Sequence, residues 1–500
     1  MPKPNLSKSK VMAYRQCPKR LWLQIHKSDV AQVSAQSKAS FATGNQVGNI
    51  AIQLYDPDNL QQILDPFTDG WESAMDTTQE WIKGKHPIFE GTFAIDGALA
   101  LADVLKRDGS TRSKQWHMVE VKSATSVKDI HIEDTAFQYF VVSRSGVKLS
   151  GVSLACIDSN WTYAREGDYR GLLKEHDLTE QARALQGDVE VWLADAHRVA
   201  RQRKEPDVNM GNQCNKPYEC EFKAYCSRHI EQPEFPVEWL PRRSGKLKAF
   251  IEENQISDMR EVPDHMLNGK QILVKECTVD NEYFLDEEGA QQALSQCRYP
   301  LYFLDFETIN FGVPRWVGTR PYQQIPFQYS LHKISDNGAT THKEFLDLSG
   351  NDPSLPFAEQ LIKDCGKRGS ILVYNQAFEK KRIEELSEGF PHLAEELLAL
   401  NTRVVDLLPV CQNFYYHPEQ HGSWSIKKVL PNMVPELNYA ELDGVQHGGA
   451  AMEAFVEAIH PETSDERKQE LDSQLREYCK LDTWAMVRIW EYITLTQLIE

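Results

Sequence analysis

The sequence has no run of about 18 apolar residues, the length that a membrane-spanning helix needs. Its first residues, Met1-Pro2-Lys3-Pro4, lack the apolar stretch of a secretory signal peptide. It also contains no internal repeat and no low-complexity segment. These absences argue against an integral membrane protein and a repeat array. We therefore expect a cytoplasmic chain without a membrane partner.

Positive charge is in short supply, with 55 Lys and Arg against 73 Asp and Glu and a formal net charge of −18. This balance argues against a uniformly basic surface. It does not exclude a nucleic-acid partner, because metal-binding carboxylates add negative charge and a binding groove needs only local Lys and Arg. Local basic stretches occur between Lys8 and Arg20 and at Lys380-Lys381-Arg382.

The ten cysteines include no Cys-x₂-Cys pair of the kind that zinc ribbons favour. Disulfides are not expected in a cytosolic chain. Cys214, Cys220 and Cys226 follow one another at a constant spacing, and Cys17 lies far upstream. Thiolates bind either Zn²⁺ or an iron–sulfur cluster, so the residues alone leave zinc, a cluster and free structural thiols as alternatives.

The length of 500 residues exceeds what one hydrophobic core supports and predicts two or three domains. Pro233, Pro236 and Pro241 interrupt the pattern and mark a boundary. The expected domains are residues 1–230, a partly helical connecting unit at 231–298, and an α/β domain with alternating strands and helices at 299–500.

The segment Tyr302–Thr308 is an apolar strand that carries Asp305 and Glu307. Residues two apart in a strand point to the same face, and two such carboxylates repel each other unless a cation lies between them. A second apolar strand, Ile371–Tyr374, precedes a helix on whose apolar face Glu379 takes the first position. We expect Glu379 to point inward.

The last predicted helix places an acid within an apolar stripe. An ionised Asp482 at that position is costly unless it is paired or binds a metal. Tyr478 lies one turn away and can orient a water molecule. The stripe comprises Leu471, Leu475, Tyr478, Asp482, Ala485 and Ile489.

Four carboxylates suit two Mg²⁺ or Mn²⁺ ions, and the predicted metal ligands are Asp305, Glu307, Glu379 and Asp482. The strings Asp305-Phe-Glu307, Asn375-x-x-Phe-Glu379 and Tyr478-Cys-Lys-Leu-Asp482 resemble the three motifs of DEDD-type 3′–5′ exonucleases, in the subclass that carries a tyrosine. The resemblance covers residues 299–500 and implies a ribonuclease-H-like fold, with Tyr478 and the four acids as catalytic residues.

One departure from that family concerns the second motif, where the family usually has Asp and this chain has Glu379. The longer side chain extends this metal ligand by one methylene. Asp406, which follows the apolar pair Val404-Val405, is the alternative ligand, but we expect it to be a structural acid at the end of a strand.

A second acidic constellation precedes this one. Ala98–Ala102 is an apolar strand that leads to Asp103, and Trp116–Lys122 is a strand whose Glu120 and Lys122 share one face. Together these supply two metal carboxylates and a cation that orients water or neutralises a phosphate. The alternative for the Glu-x-Lys string is a surface ion pair.

The cysteine set, Ser7-Lys8-Ser9 and the string that begins Cys17-Pro-Lys-Arg resemble iron–sulfur RecB-family nucleases, such as AddB and the CRISPR-associated RecB-like exonucleases. The resemblance implies a PD-(D/E)XK restriction-endonuclease-like domain stapled by a [4Fe–4S] cluster. Asn45 occupies a place where some relatives have histidine. The implied cluster ligands are Cys17, Cys214, Cys220 and Cys226, and the implied catalytic residues are Glu90, Asp103, Glu120, Lys122 and Gln138, with metal on Asp103 and Glu120.

The sequence therefore predicts an α/β chain in which a PD-(D/E)XK domain precedes a ribonuclease-H-like domain. We expect a metal-dependent nuclease with nucleic acid as its partner, DNA being favoured over RNA. The rival expectations are a non-catalytic nucleic-acid-binding scaffold in which one or both sites are degenerate, and an exonuclease that trims RNA.

Overall fold

The computed structural model describes residues 5–58, 63–108, 115–228 and 230–495, with backbone alone for 35–39. The chain divides into two compact units. Unit 1 comprises Met1–Ile230 and Phe311–Gln323, and unit 2 comprises Glu231–Asn310 and Gln324–Glu500. Residues 231–298, expected to form a separate connecting unit, thus belong to unit 2, and the segment 311–323 joins unit 1.

Apolar contacts explain why the segment 311–323 belongs to unit 1. Val313 is buried in a cluster with Val47, Ile157 and Leu172. The amide of Tyr163 donates to the carbonyl oxygen of Thr319 at 3.0 Å. No local pattern in the sequence indicates these long-range contacts.

The described part of unit 1 contains six strands, and helices come between and after them along the chain. Its strands are β1 (Leu6–Ser7), β2 (Ile88–Ile95), β3 (Ala98–Arg107), β4 (Trp116–Lys122), β5 (Leu149–Ile157) and β6 (Leu173–Asp177). Its helices are α1 (Lys8–Gln16), α2 (Pro18–His26), α3 (Ala35–Tyr55), α4 (Pro66–Asp69), α5 (Trp71–Trp81), α6 (Asp129–Arg144), α7 (Thr179–Ala184), α8 (Gln186–Ala200) and α9 (Lys223–Ser227).

These strands form one mixed sheet in the order β1-β3-β4-β5-β6, and β2 pairs antiparallel with β3. β3 and β4 are antiparallel, with Val104 opposite Val119 and Leu105 opposite Met118. The next pair in this register places Asp103 beside Glu120. β4 also pairs with β5, in parallel. Because β4 has a partner strand on each side, the Glu-x-Lys strand lies inside the sheet and not at its edge.

Helix α6 packs on this sheet through buried aromatic and β-branched side chains, including Phe137, Phe140 and Val141. Asp134 and Gln138 are four residues apart and are both buried. Side chains with this spacing lie one above the other on a helix. The packing that buries the apolar face therefore turns both polar side chains toward the sheet.

Unit 2 has a larger share of helix. Its strands are β7 (Phe284–Leu285), β8 (Leu301–Ile309), β9 (Ile325–Ile334), β10 (Thr340–Leu346), β11 (Ser370–Val373), β12 (Val404–Asp406) and β13 (Tyr415–Tyr416). Its helices are α10 (Gly245–Glu253), α11 (Gly269–Asp280), α12 (Glu287–Leu294), α13 (Ser354–Cys365), α14 (Gln376–Gly389), α15 (Ala394–Asn401), α16 (Leu407–Phe414), α17 (Ile426–Met433), α18 (Gly448–Ala458) and α19 (Asp465–Thr494).

The main sheet of unit 2 has the order β10-β9-β8-β11-β12. β9 pairs antiparallel with β8. On the other side of β8, β11 pairs parallel with β8, and β12 pairs parallel with β11. The even-numbered residues Tyr302, Leu304 and Phe306 of β8 belong to a core with helix α13. The ring of Phe303 instead contacts Trp490 of α19 at 6.2 Å between centroids. Successive side chains therefore face different helices, and the odd-numbered side of β8 faces α19.

Helix α19 is the longest of the helices described here. Ser464 caps its start by accepting a hydrogen bond from the amide of Arg467, and Asp465 and Glu466 favour the positive end of the helix dipole. The side chains of the predicted apolar stripe are all buried, including Tyr478 and Asp482. Asp482 is therefore buried inside unit 2, as the helical spacing of the apolar stripe predicted.

The fold is mixed α/β, with parallel and antiparallel pairs in both main sheets. Across the described ranges, no helix is both long and apolar enough to cross a membrane.

Candidate functional site

Three carboxylates converge in unit 2. Asp305 and Glu307 extend from the same side of β8, and Asp482 comes from the middle of α19. One oxygen from each lies within 4.8 Å of the others. Among the described residues, this is the one set of three His, Cys, Asp or Glu side chains that meets this distance.

The electrostatics of this trio are unfavourable without a cation. Burial, followed by the charge of Asp482, raises the pKa of Glu307 to about 8. Burial also raises the pKa of Asp482 to about 6, and burial with the charges of Asp482 and Glu307 holds the pKa of Asp305 well above its usual range. A divalent cation relieves this repulsion, so the donor set fits a hard metal ion with oxygen ligands.

Glu379 is a fourth buried carboxylate of unit 2, but it lies outside the group whose oxygens meet within 4.8 Å. It lies in the first turn of α14 with 2% of its surface exposed, and its Oε2 atom has no hydrogen-bond partner in the described part of the chain. Burial raises its pKa to about 8, and its charge contributes to the raised pKa of Asp305. A buried carboxylate oxygen without a partner is costly and is expected where a ligand completes the site.

Both carboxylate oxygens of Asp406, the alternative ligand, already accept hydrogen bonds from the main chain. One carboxylate oxygen accepts hydrogen bonds from the amides of Asn375 and Leu408 at 2.9 and 3.0 Å, and the other accepts from the amide of Gln376 at 3.0 Å. It therefore caps α16 and holds the turn before α14, where Asn375 has a left-handed φ of 85°. Through these contacts Asp406 positions the start of α14, the helix that carries Glu379.

Tyr478 lies beside the trio together with two residues that the sequence reasoning missed. The Tyr439 hydroxyl donates to Oδ1 of Asp482 at 2.6 Å. The ammonium of Lys427 donates to the Tyr478 hydroxyl at 3.2 Å. Both residues come from the stretch between β13 and α19, which carries no periodic signal that points to the site.

The acidic centre of unit 1 is organised differently. Glu120 has no exposed surface and accepts hydrogen bonds from Lys122 at 2.6 Å, from Lys8 at 2.8 Å and from the side-chain amide of Gln138. Asp134 forms a second acceptor, with an oxygen 2.9 Å from the ammonium of Lys122. Two cations and two acids thus form a closed network.

The pKa values follow from this network. Burial favours a higher pKa for Glu120, but Lys122 and Lys8 overcome that effect and lower it to about 2. Burial favours a lower pKa for Lys122, but Asp134 and Glu120 raise it well above its usual range. Both partners are therefore held in their charged forms.

The other predicted acids of unit 1 adjoin this network. Asp103 lies within β3 rather than at its end, and it accepts a hydrogen bond from the amide of Val121 at 2.8 Å. Burial and the charge of Glu120 raise the pKa of Asp103 and of Glu90. Glu90 adopts a left-handed φ of 53°, which costs roughly 1–3 kcal/mol in a non-glycine residue and is typical of functional sites.

Lys8 and Asp134 were missed as members of the unit 1 centre. Asp134 was detectable, because it precedes Gln138 by four residues on one helix. Lys8 lies 112 residues from Glu120, so no local pattern could connect them. Asn45, noted for its place in the family pattern, is exposed in helix α3.

The cysteines with regular spacing come together in unit 1. Cys17, Cys214, Cys220 and Cys226 line one pocket, together with the cations Lys19, Arg20 and Lys223. The amide of Cys220 donates to the carbonyl oxygen of Cys214 at 2.9 Å and closes the loop between them. None of these thiols is in a disulfide.

Comparisons with known proteins add similarity without a named activity. Residues 302–425 match the family model described as "Domain of unknown function (DUF2779)". This range runs from the second residue of β8 to the residue before α17. It includes Glu379 and Asp406 and ends before Tyr478 and Asp482.

Two relatives have similarity over part of the chain. The uncharacterized protein UU173 of Ureaplasma parvum is 25% identical over 217 residues, which are 38% of this chain and 31% of that protein. The uncharacterized protein MG366 homolog of Mycoplasma pneumoniae is 24% identical over 213 residues, which are 38% of this chain and 32% of that protein. The match thus spans less than a third of each relative.

Proposed function

We propose that this chain is a metal-dependent nuclease whose unit 2 removes nucleotides from the 3′ end of a nucleic acid, with DNA favoured over RNA. The observation that carries the proposal is the convergence of Asp305, Glu307 and Asp482 within 4.8 Å. Together with Glu379 and Tyr478, it supports a DEDD-type site on a ribonuclease-H-like domain.

The carboxylates would hold the metal, with Asp305, Glu307 and Asp482 as one group and Glu379, whose charge acts on Asp305, as a further ligand outside that group. Divalent ions bound in this way supply activation of water and stabilisation of the leaving oxygen. The Tyr478 hydroxyl orients the attacking water. Attack at the terminal phosphodiester forms a new P–O bond and breaks the bond to the 3′ oxygen, which releases a nucleoside 5′-monophosphate.

For unit 1 we propose a RecB-like PD-(D/E)XK site built on Asp103, Glu120 and Lys122, with Gln138 as a positioning residue and Glu90 at its margin. One observation favours a second candidate for this unit alone. Lys8 and Lys122 already neutralise Glu120, which suits a nucleic-acid-binding platform as well as a nuclease. The two candidates differ in whether this unit cleaves.

The cysteine pocket supports a [4Fe–4S] cluster. The four cysteines line one pocket, and the sequence has no Cys-x₂-Cys pair of the kind that zinc ribbons favour. Four cysteine thiolates are the usual ligand set of such a cluster.

Digestion of end-labelled single- and double-stranded DNA and RNA, with each centre inactivated in turn, tests the proposal. Asp305→Ala should abolish trimming from the 3′ end, and Lys122→Ala should abolish any separate cleavage by unit 1. Full cleavage of every substrate in Lys122→Ala and Asp103→Ala would make unit 1 a binding platform. Unchanged trimming in Asp305→Ala would refute the exonuclease.

The cluster has its own test. Protein purified without oxygen should carry about four iron atoms per chain, the content of one [4Fe–4S] cluster. Cys17→Ala should lose iron, and Cys156→Ala, at a buried cysteine outside the pocket, should keep it. Stoichiometric zinc without iron would overturn the assignment.

A further inference from the structure

Lys427 lies in the first turn of α17, and its ammonium faces the carboxylate centre of unit 2. Its charge lowers the pKa of Asp305, Glu307 and Asp482, in opposition to their burial. It forms no ion pair within 4.0 Å with any acid that the structure describes. It acts on these carboxylates from a distance.

The direct contacts of the ammonium are with other groups. It donates to the carbonyl oxygen of Gln446 at 2.6 Å and to the hydroxyl of Tyr478 at 3.2 Å. It also lies 4.8 Å from the ring centre of Tyr478 and 4.9 Å from that of Tyr439. Two aromatic faces and a backbone carbonyl therefore fix its position.

The contact with Tyr478 determines how that hydroxyl is used. Because an ammonium has no acceptor atom, the Tyr478 oxygen must accept this hydrogen bond. The phenolic proton then points away from Lys427, on the side of the carboxylates, where Tyr478 forms a hydrogen bond with Asp482. Tyr439 also donates to Asp482 at 2.6 Å, so that acid keeps one donor when the Tyr478 hydroxyl turns to a water molecule.

We infer that Lys427 is a positioning residue for the proposed exonuclease, which acts by orienting the Tyr478 hydroxyl toward the attacking water. This inference rests on the proposed function of unit 2. It adds a residue outside the matched range 302–425 and outside the three acidic motifs.

A double-mutant cycle tests the inference in the full-length protein. Trimming of a 5′-labelled single-stranded DNA is compared among wild type, Lys427→Met, Tyr478→Phe and the double variant. Lys427→Met should lower kcat about 10- to 100-fold with little change in KM, a smaller effect than loss of the positioned group itself. In the Tyr478→Phe background the same change should cost less than about twofold, because both substitutions remove one interaction.

Lys428 provides a matched control, since it is the next residue of the same helix and is exposed. Lys428→Met should keep the wild-type rate. Lys427→Arg, which keeps a cationic donor, should recover part of the lost kcat. An equal rate for Lys427→Met and Lys428→Met would overturn the inference, as would an equal loss in both Tyr478 backgrounds.

Failure of the inference differs from failure of the proposed function. If wild type trims DNA, Asp305→Ala does not, and Lys427→Met is unimpaired, the exonuclease stands and the inference fails. If no variant changes the cleavage, the exonuclease itself fails. In that case the interaction between Lys427 and Tyr478 is measured from the unfolding temperatures of the same four proteins in chelator. Shifts of Lys427→Met and Tyr478→Phe that simply add in the double variant would show that the two side chains do not interact, and the inference would fail.

Discussion

Glu120 in unit 1 and Glu307 in unit 2 are both buried strand glutamates with opposite electrostatics. Glu120 has two lysines within hydrogen-bond distance and a pKa lowered to about 2. No ion pair within the described chain involves Glu307, and burial with the charge of Asp482 raises its pKa to about 8. Lysines of unit 1 neutralise Glu120, whereas Glu307 of unit 2 has no ion-paired cation among the described residues.

The difference affects both stability and metal binding. Metal entering unit 1 has to compete with two lysines for Glu120, whereas metal entering unit 2 removes a repulsion that the folded protein already carries. We therefore expect unit 2 to bind divalent ions more tightly. Substitutions in either centre test this difference.

The largest effect is expected for Asp305→Ala. This change removes one member of the carboxylate trio, and we expect trimming from the 3′ end to fall by several orders of magnitude. The measurement is the rate of 3′-end release from labelled DNA. Asp336→Ala, at an exposed position of the same unit, is the control and should keep the wild-type rate.

Tyr478→Phe should reduce the same rate by roughly 10²–10⁴-fold, the typical worth of a positioned acid–base group. The metal ligands are untouched, so Mn²⁺ binding should stay at the wild-type level. A rate loss that is accompanied by a loss of Mn²⁺ would instead show that the hydroxyl supports the metal site.

Glu120→Gln should destabilise unit 1 with or without metal. The change leaves Lys8 and Lys122 facing one remaining acid of the pair, Asp134, and breaking a buried ion pair costs about 3 kcal/mol or more in free energy of unfolding. Chemical unfolding at neutral pH measures this loss. Lys10→Met, on the same helix as Lys8 but outside the network, should change stability little. No loss in Glu120→Gln would mean that the network contributes nothing.

The smallest effect concerns pH in the presence of chelator. The folded pKa of Glu307, about 8, lies above its unfolded value, so the folded protein binds the proton more tightly. The contribution of Glu307 to stability is therefore fully present below its unfolded pKa of 4.5 and is lost as pH rises from there through about 8. We expect the unfolding temperature to decline between about pH 5 and pH 8 and to level off above, and Glu307→Gln to flatten this slope. An equal slope in the variant would assign the effect to other groups.

Sequence periodicity predicted the parts of each centre that lie on regular elements. The two-residue spacing placed Asp305 and Glu307 on one side of β8, and the helical stripe placed Tyr478 and Asp482 inside α19. Residues that reach a centre from a distant segment carry no such signal. Lys8 and Lys427 are in that class, and so is the segment 311–323 that joins unit 1.

Other differences arose from local geometry that composition does not report. The strand that carries Asp103 continues to Arg107, because its apolar residues pair with β4 beyond the acid. The sequence indicated that Asp406 is a structural acid at a strand end but could not show that three backbone amides use both of its oxygens. Hydrogen bonds to the main chain cannot be read from side-chain patterns.

A titration of the full-length protein with Mn²⁺ tests the contrast between the two centres most directly. Protein stripped with chelator at pH 7.5 is compared among wild type, Asp305→Asn and Glu120→Gln by calorimetry. We predict that Asp305→Asn loses the tightest Mn²⁺ binding and that Glu120→Gln keeps it. Tight binding that survives in Asp305→Asn and disappears in Glu120→Gln would contradict the account.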